Sequence, residues 1–424
     1  MIDLNSILNK KLPTSGNTDS SNNKTNNSVF LYSSDICCQL VSEAYQYQGL
    51  PAPSQQKYSI DKVKRVVANK AKTLLIELAS SDDITSEAKQ ISHIVPHDIL
   101  VIIIGAEDAI STIRNLKSLG FYYLFWPFNK QELIDFVRNI SATYDLDVAL
   151  KHQRNAKRIA VIGSKGGVGC TLLAAEIASL LSLEHKTSCL LVDHSQENGN
   201  CDIMLGSNTL KKRELILGTL SETLDDLAAK NLTTRVNDQL SYLGLNIKEQ
   251  IPQAVAEFSE QVVAIIAKSL NFVIEDVSSS VSFSQDATWL CRENDCLILL
   301  LEPTVSSVRS AKKMSIRLNE AIKKSGKSIK LLFVLNHHRS KTHSAFSEQE
   351  ISKVLGTSID HELPFEAHTD KILLTGQRLY TSSAKLAQPL QNLVTEIMGG
   401  KVKKQSWLAS KHLPFLTHKS TTKA

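Results

Sequence analysis

The chain has 424 residues, 42% hydrophobic and 21% charged, a balance that excludes collagen-like, disulfide-scaffold and wholly disordered readings. At roughly 150 residues per domain, this length predicts two or three domains. The net charge is +5, but residues 401–424 hold six lysines and no acid; setting these aside leaves −1 on the first 400 residues, which argues against a body-wide basic footprint for nucleic acid.

Residues 1–28 contain seven Asn, five Ser and three Thr, too little apolar surface to offset the entropy of ordering, so a disordered tail is expected there. From Val29 the character changes. Short apolar runs at Val29–Tyr32, Thr73–Leu78, Ile99–Gly105 and Tyr122–Phe125 alternate with helix-like stretches at Ile36–Gln48, Asp61–Asn69, Ala109–Leu119 and Lys130–Ser141. Such alternation predicts an α/β domain over residues 29–148, a parallel sheet with helices on both faces. The last run, leading into Trp126-Pro127-Phe128 and a helix, resembles the end of a response-regulator receiver domain.

That resemblance implies a phosphoacceptor Asp after the third strand, an acidic pair after the first, Ser or Thr after the fourth and Lys before the final Pro. This chain offers Glu77 or Leu78, Ser33-Ser34 with Asp35, Gly105-Ala106 and Trp126 at those places. The expectation is a receiver-like, doubly wound domain without a phosphorylation site, serving interaction or dimerisation. A basic connector with Lys151, His152, Arg154, Lys157 and Arg158 leads onward, and the boundary is placed at Ala149, giving a second domain over 149–400.

The strongest motif is the apolar run Ile159–Ile162, then Gly163-Ser164-Lys165-Gly166-Gly167-Val168-Gly169-Cys170-Thr171, then the helical stretch Leu172–Leu183. Strand, glycine-rich turn and helix together form the setting of a phosphate-binding loop. Glycines let the backbone wrap tightly, so that amide N–H groups and the positive helix end face an anion. The hydroxyl of Thr171 suits a magnesium ion held between phosphates.

Lys165 directly before Gly166-Gly167-Val168-Gly169 resembles the deviant Walker A signature of the MinD/ParA superfamily of P-loop ATPases. The resemblance implies ATP and magnesium as cofactors and a homodimer in which Lys165 reaches the partner's nucleotide. Residues Lys165 to Leu172 would cradle the phosphates, including Gly166, Gly167, Val168, Gly169, Cys170, Thr171 and Leu172. Relatives carry a second lysine where this chain has Cys170. Losing that ammonium removes a point charge on the β- and γ-phosphates, so slow or absent turnover is expected.

Downstream motifs follow the same order. Asp193 ends the run Cys189–Val192 and matches an acid that helps hold magnesium and orient water, while Ser195 stands where relatives have a second acid. Asn271–Asp276 resembles a Walker B strand with Asp276 as the magnesium carboxylate, although Glu275 is atypical in an apolar run. Cys296–Leu301 leads to Glu302-Pro303-Thr304 and a helix carrying Arg309, Lys312 and Lys313; Leu331–Leu335 ends at Asn336, where relatives place an adenine-contacting Asn; Leu363-Pro364-Phe365 opens a base-flanking loop.

The ensemble, a degenerate receiver-like domain followed by a deviant P-loop domain with a mainly parallel sheet, resembles CpaE and TadZ, the localisation ATPases of Flp/Tad pilus assembly. The resemblance implies partners in a pilus secretion ATPase or polar localisation proteins, with no nucleic acid. Two alternatives stand beside it: an active ParA-type ATPase moving DNA or protein cargo, and a scaffold that binds no nucleotide.

The cysteines form no C-x-x-C, so a cysteine metal site is not expected, and His337-His338 read as exposed loop residues. The longest apolar runs, Ile99–Ile104 and Cys296–Leu301, fall far short of the roughly 20 residues of a membrane-spanning helix. With no secretion signal evident, the expected location is cytoplasmic. In the basic tail 401–424, Trp407, Leu408, Leu413, Phe415 and Leu416 lie among lysines, which suits peripheral contact with an anionic inner membrane or cell pole.

Overall fold

Five strands of the first unit form one sheet: β1 (Ser28–Tyr32), β2 (Ser54–Lys57), β3 (Thr73–Glu77), β4 (Leu100–Gly105) and β5 (Tyr122–Phe125). All pair in parallel in the order β2-β1-β3-β4-β5. The computed structural model describes residues 28–147, 155–400 and 402, apart from 70, 80, 82, 97–98, 196–198, 208–209, 216–223, 248–251, 279–285, 341–343 and 345. All of the expected disordered tail except Ser28, which instead begins β1, most of the connector and nearly all of the basic tail lie outside these residues.

Strand β4 is buried from end to end, which is why it reads as an unbroken apolar run. Two elements were not legible in the sequence. Strand β2 is Ser-Gln-Gln-Lys, exposed at every position on the sheet edge, so it has no apolar signature. The helix Ile84–Ile94 buries Ile84, Ala88, Ile91 and Ile94, and Asp83 caps it by accepting from the Ser86 amide at 2.9 Å. The sheet order reverses between β1 and β3, the crevice where open α/β sheets place functional groups.

The second unit is a larger sheet. Its strands are β6 (Lys157–Gly163), β7 (Cys189–Asp193), β8 (Arg213–Leu215), β9 (Thr234–Arg235), β10 (Leu240–Ile247), β11 (Phe272–Val277), β12 (Cys296–Leu301), β13 (Lys330–Asn336) and β14 (His361–Leu363). The order is β14-β13-β12-β6-β11-β7-β10-β8, parallel throughout among the described residues, with β9 antiparallel on β10. The carboxyl ends of β6, β7, β11 and β13 carry residues that the sequence marks as candidates: the glycine turn after Gly163, Asp193, Asp276 and Asn336.

Lys157 and Arg158, read from sequence as connector, are instead the first residues of β6. Arg158 is drawn inside by carboxylates: its guanidinium donates to Glu275 Oε1 at 3.0 Å and to Glu260 Oε2 at 2.6 Å, with Glu293 Oε2 at 3.4 Å. The two units meet at the opposite end of the sheet, where β6 and β11 begin. Asn271 donates to Val95 O at 3.1 Å, Gln90 donates to Gly399 O at 2.7 Å, and the His93 ring lies 5.6 Å from that of Phe272.

Candidate functional site

The apolar strand β6 ends in the turn 164–169, and the helix Cys170–Ser179 starts there with Gly169 as its N-cap at φ 100°. That left-handed backbone suits glycine, and a Cβ at Gly169 would lie only 2.9 Å from Asn336 Nδ2. Asn336 ends β13 and donates that amide to Val168 O at 2.9 Å. The residue expected to touch a base therefore also ties down the loop.

Lys165 does not stand free. Its Nζ lies 2.5 Å from Glu302 Oε1, while Glu302 Oε2 lies 2.9 Å from His338 Nδ1. Thr304 donates its hydroxyl to Glu302 Oε1 at 3.0 Å, and the hydroxyls of Ser164 and Ser307 are 2.8 Å apart. The loop lysine is thus neutralised within its own chain. Of the two neighbouring histidines, His338 is exposed as expected, whereas His337 is buried with Nε2 2.6 Å from Glu362 Oε1.

Cys170 is turned inward. A Cβ at Gly163 would lie 2.9 Å from its Sγ, and burial followed by the charge of Asp276 pushes the thiol well above its ordinary pKa. Position 170 accordingly contributes no charge to the loop.

Asp193 closes β7 and Asp276 lies opposite it on β11, in direct register. Their carboxylates and the Cys201 thiol lie within 4.8 Å of one another, all buried. Asp276 Oδ1 is buried without a hydrogen-bond partner. Burial and the charge of Asp193 push the Asp276 carboxyl up to about 7, against the pull of the Thr171 hydroxyl. Two carboxylates, one with an oxygen left without a partner, and a hydroxyl are a donor set that fits a hard divalent cation such as magnesium. The structure therefore brings Thr171, Asp193 and Asp276 together, and it adds Cys201, which cysteine spacing had not connected with any metal.

Asp193 is already well bonded. Its Oδ1 accepts from the Ser195 amide at 2.9 Å and the Ser195 hydroxyl at 2.5 Å, and its Oδ2 accepts from Tyr242 at 2.9 Å and faces Lys212 Nζ at 3.3 Å. Neither Tyr242 nor Lys212 carries a motif that would have marked it. The atypical Glu275 also finds its reason: burial alone would raise its carboxyl, but Arg158 and then His194 bring it down to about 2. His194 Nε2 lies 3.2 Å from Glu275 Oε2, and its ring meets Trp289 edge-on at 5.5 Å.

A cavity of about 470 Å³ opens beside the loop, lined by Gly167, Val168, Gly169, Leu172, Asn336 and Pro364 among others. Six predicted site residues thus border one space, of a size that accepts a small-molecule ligand. In the first unit, Glu77 occupies the β1/β3 crevice. Its Oε2 accepts from the amides of Ser33 and Ser34 at 2.7 and 2.9 Å, and its Oε1 from the Ser34 hydroxyl at 2.6 Å. A carboxylate so enclosed holds the turn that leads into the helix Asp35–Tyr47, whose N-cap is Ser34, rather than facing solvent.

No known family profile and no curated protein matches the chain. Solved structures similar to it include a ParA family ATPase from Chlorobium tepidum, 24% identical, covering 56% of this chain and 98% of that one with a TM-score of 0.46. MinD of Aquifex aeolicus is 20% identical, covering 58% of this chain and 99% of that one at a TM-score of 0.44. MinD complexed with Mg-ADP from Pyrococcus horikoshii is 18% identical, covering 58% and 100% at 0.45. The chain itself is an α/β protein with parallel sheets, and among its described residues no helix is long and apolar enough to cross a membrane.

Proposed function

We propose that the second unit binds ATP with magnesium, and that the chain is a nucleotide-dependent localisation or assembly factor of the CpaE/TadZ kind, with weak hydrolysis. The observation that carries this reading is a glycine loop that borders the cavity through Gly167, Val168 and Gly169 and, through the Thr171 hydroxyl, meets Asp276 of the carboxylate pair. The amides of residues 165–171 and the amino end of the helix Cys170–Ser179 bind phosphate oxygens through fixed dipoles. Thr171 and Asp276 hold the cation, with Asp193 beside them. Magnesium, when bound, neutralises charge on the β- and γ-phosphates.

Slow turnover follows from what the site lacks. Cys170 supplies no cation, Ser195 replaces an acid and spends its hydroxyl on Asp193, and Lys165 must leave Glu302 before it reaches any nucleotide. Self-association, a pilus-secretion or polar partner, a receiver-like unit over 29–148 as interaction module, and membrane contact through 401–424 belong to the same proposal.

Calorimetric titration of Mg-ATP against the whole chain tests it. Binding is expected for the parent, and Cys170→Lys is expected to tighten it roughly tenfold, the size of one charge-assisted hydrogen bond. A parent chain that binds no Mg-ATP would leave a nucleotide-free scaffold as the reading.

A further inference from the structure

The charges around the loop do not balance as the motif requires. Cys170 is neutral, Lys165 is paired with Glu302, and Asp193 and Asp276 place two carboxylates side by side. A triphosphate adds more negative charge. Yet a second cation has been built into this place by sheet topology rather than by the loop.

Strand β10 pairs with β7 so that Gly244 lies opposite Asp193, and β8 pairs with β10 so that Arg213 lies opposite Leu245. Lys212, the residue before Arg213, therefore arrives level with Asp193 at the carboxyl end of the sheet. Its side chain is 15% exposed, and its Nζ contacts the Ser195 carbonyl, lies 2.8 Å from Ser195 Oγ and 3.3 Å from Asp193 Oδ2. Room is made for it: a Cβ at Gly199 would lie 2.8 Å from Lys212 Cε and 2.5 Å from Asp193 Oδ2.

We propose that Lys212 supplies to the bound triphosphate the positive charge that the glycine loop lost at position 170. The inference rests on the nucleotide-binding reading of the site. With a dication held by Thr171 and Asp276 beside Asp193, Lys212 would lose Asp193 as its main partner, and its flexible four-carbon stem would let the ammonium turn to the phosphates. Lys212 thus adds a phosphate contact from outside the motif, in place of the one that a thiol at position 170 cannot make.

The test is a double-mutant cycle on the whole chain, with Mg-ATP affinity read by calorimetry and folding by thermal melting. Lys212→Met keeps the apolar stem and removes the charge; it is expected to weaken binding roughly tenfold in the parent and less than about threefold in the Cys170→Lys background. Lys212→Arg is expected to stay within about threefold of the parent. Equal losses in both backgrounds mean that Lys212 only braces Asp193, and overturn the proposal. Unchanged affinity of Lys212→Met in a parent that binds Mg-ATP overturns it alone, whereas a parent that binds no Mg-ATP overturns the nucleotide reading itself. Should Lys212→Met fail to fold, a Lys212→Gln variant carries the same comparison, and the Cys170→Lys background supplies its control.

Discussion

Glu275 illustrates how a single polar residue inside an apolar strand constrains its surroundings. It sits fully buried on β11, next to Asp276, and is tolerated because Arg158 from the neighbouring strand β6 and His194 from the end of β7 both meet its carboxylate. Removing one partner of such a group leaves the other charge buried without compensation, which is costlier than the pair itself is stabilising. Glu275→Ala is therefore expected to lose about 3 kcal/mol of stability, read as a lowered urea midpoint with unchanged m-value. A loss under about 1 kcal/mol would mean that Glu260 and Glu293 already satisfy Arg158 alone. Glu77 obeys the same logic in the first unit, where two amides and a hydroxyl surround its carboxylate and leave it structural.

Among the elements, the turn into the helix Cys170–Ser179 has a backbone that demands glycine. Gly169 holds φ 100°, and the space where its Cβ would lie is taken by the Asn336 amide that tethers Val168. Gly169→Ala brings about 1–2 kcal/mol of backbone strain and displaces Asn336 from the loop. Mg-ATP affinity is expected to fall at least roughly tenfold, with a lowered melting temperature. Asn336→Ala, which leaves the backbone free to adopt its native turn, is expected to lose affinity with a smaller change in melting temperature. Identical melting temperatures for Gly169→Ala and the parent would contradict the need for glycine at this position.

For the molecule as a whole, the contact between the two units is sensitive to acid. Burial, followed by Lys157, holds the His93 imidazole down to about 3; burial, followed by Lys64 of the first unit, holds His185 of the second down to about 4. Both rings are therefore neutral in the folded chain at neutral pH, although an unfolded histidine titrates near 6.5. Between those limits the unfolded chain binds more protons, so stability is fully present above about 6.5 and declines as pH falls toward about 4 and then 3. Each ring contributes at most about 1.4 kcal/mol per pH unit to that decline. Urea titrations at pH 7.5 and 5.0 are expected to show the loss, and His93→Gln is expected to make it shallower. An equally steep dependence in His93→Gln would remove His93 from the account.

What the sequence determined by itself was local: alternating strands and helices, a glycine turn between strand and helix, acids at strand ends, and a thiol where the motif has a lysine. These depend on backbone conformation and short-range periodicity, which neighbouring residues dictate. The edge strand β2 escaped because its exposed polar residues bury nothing and so leave no apolar pattern. Tertiary structure alone decided which charges meet. Arg158 and Glu275 are 117 positions apart, Lys165 finds Glu302, and Lys212 reaches Asp193 only because the order of β7, β10 and β8 aligns them. Pairing across a parallel sheet is fixed by strand order and register, and those are settled by burying the apolar faces of the entire chain at once.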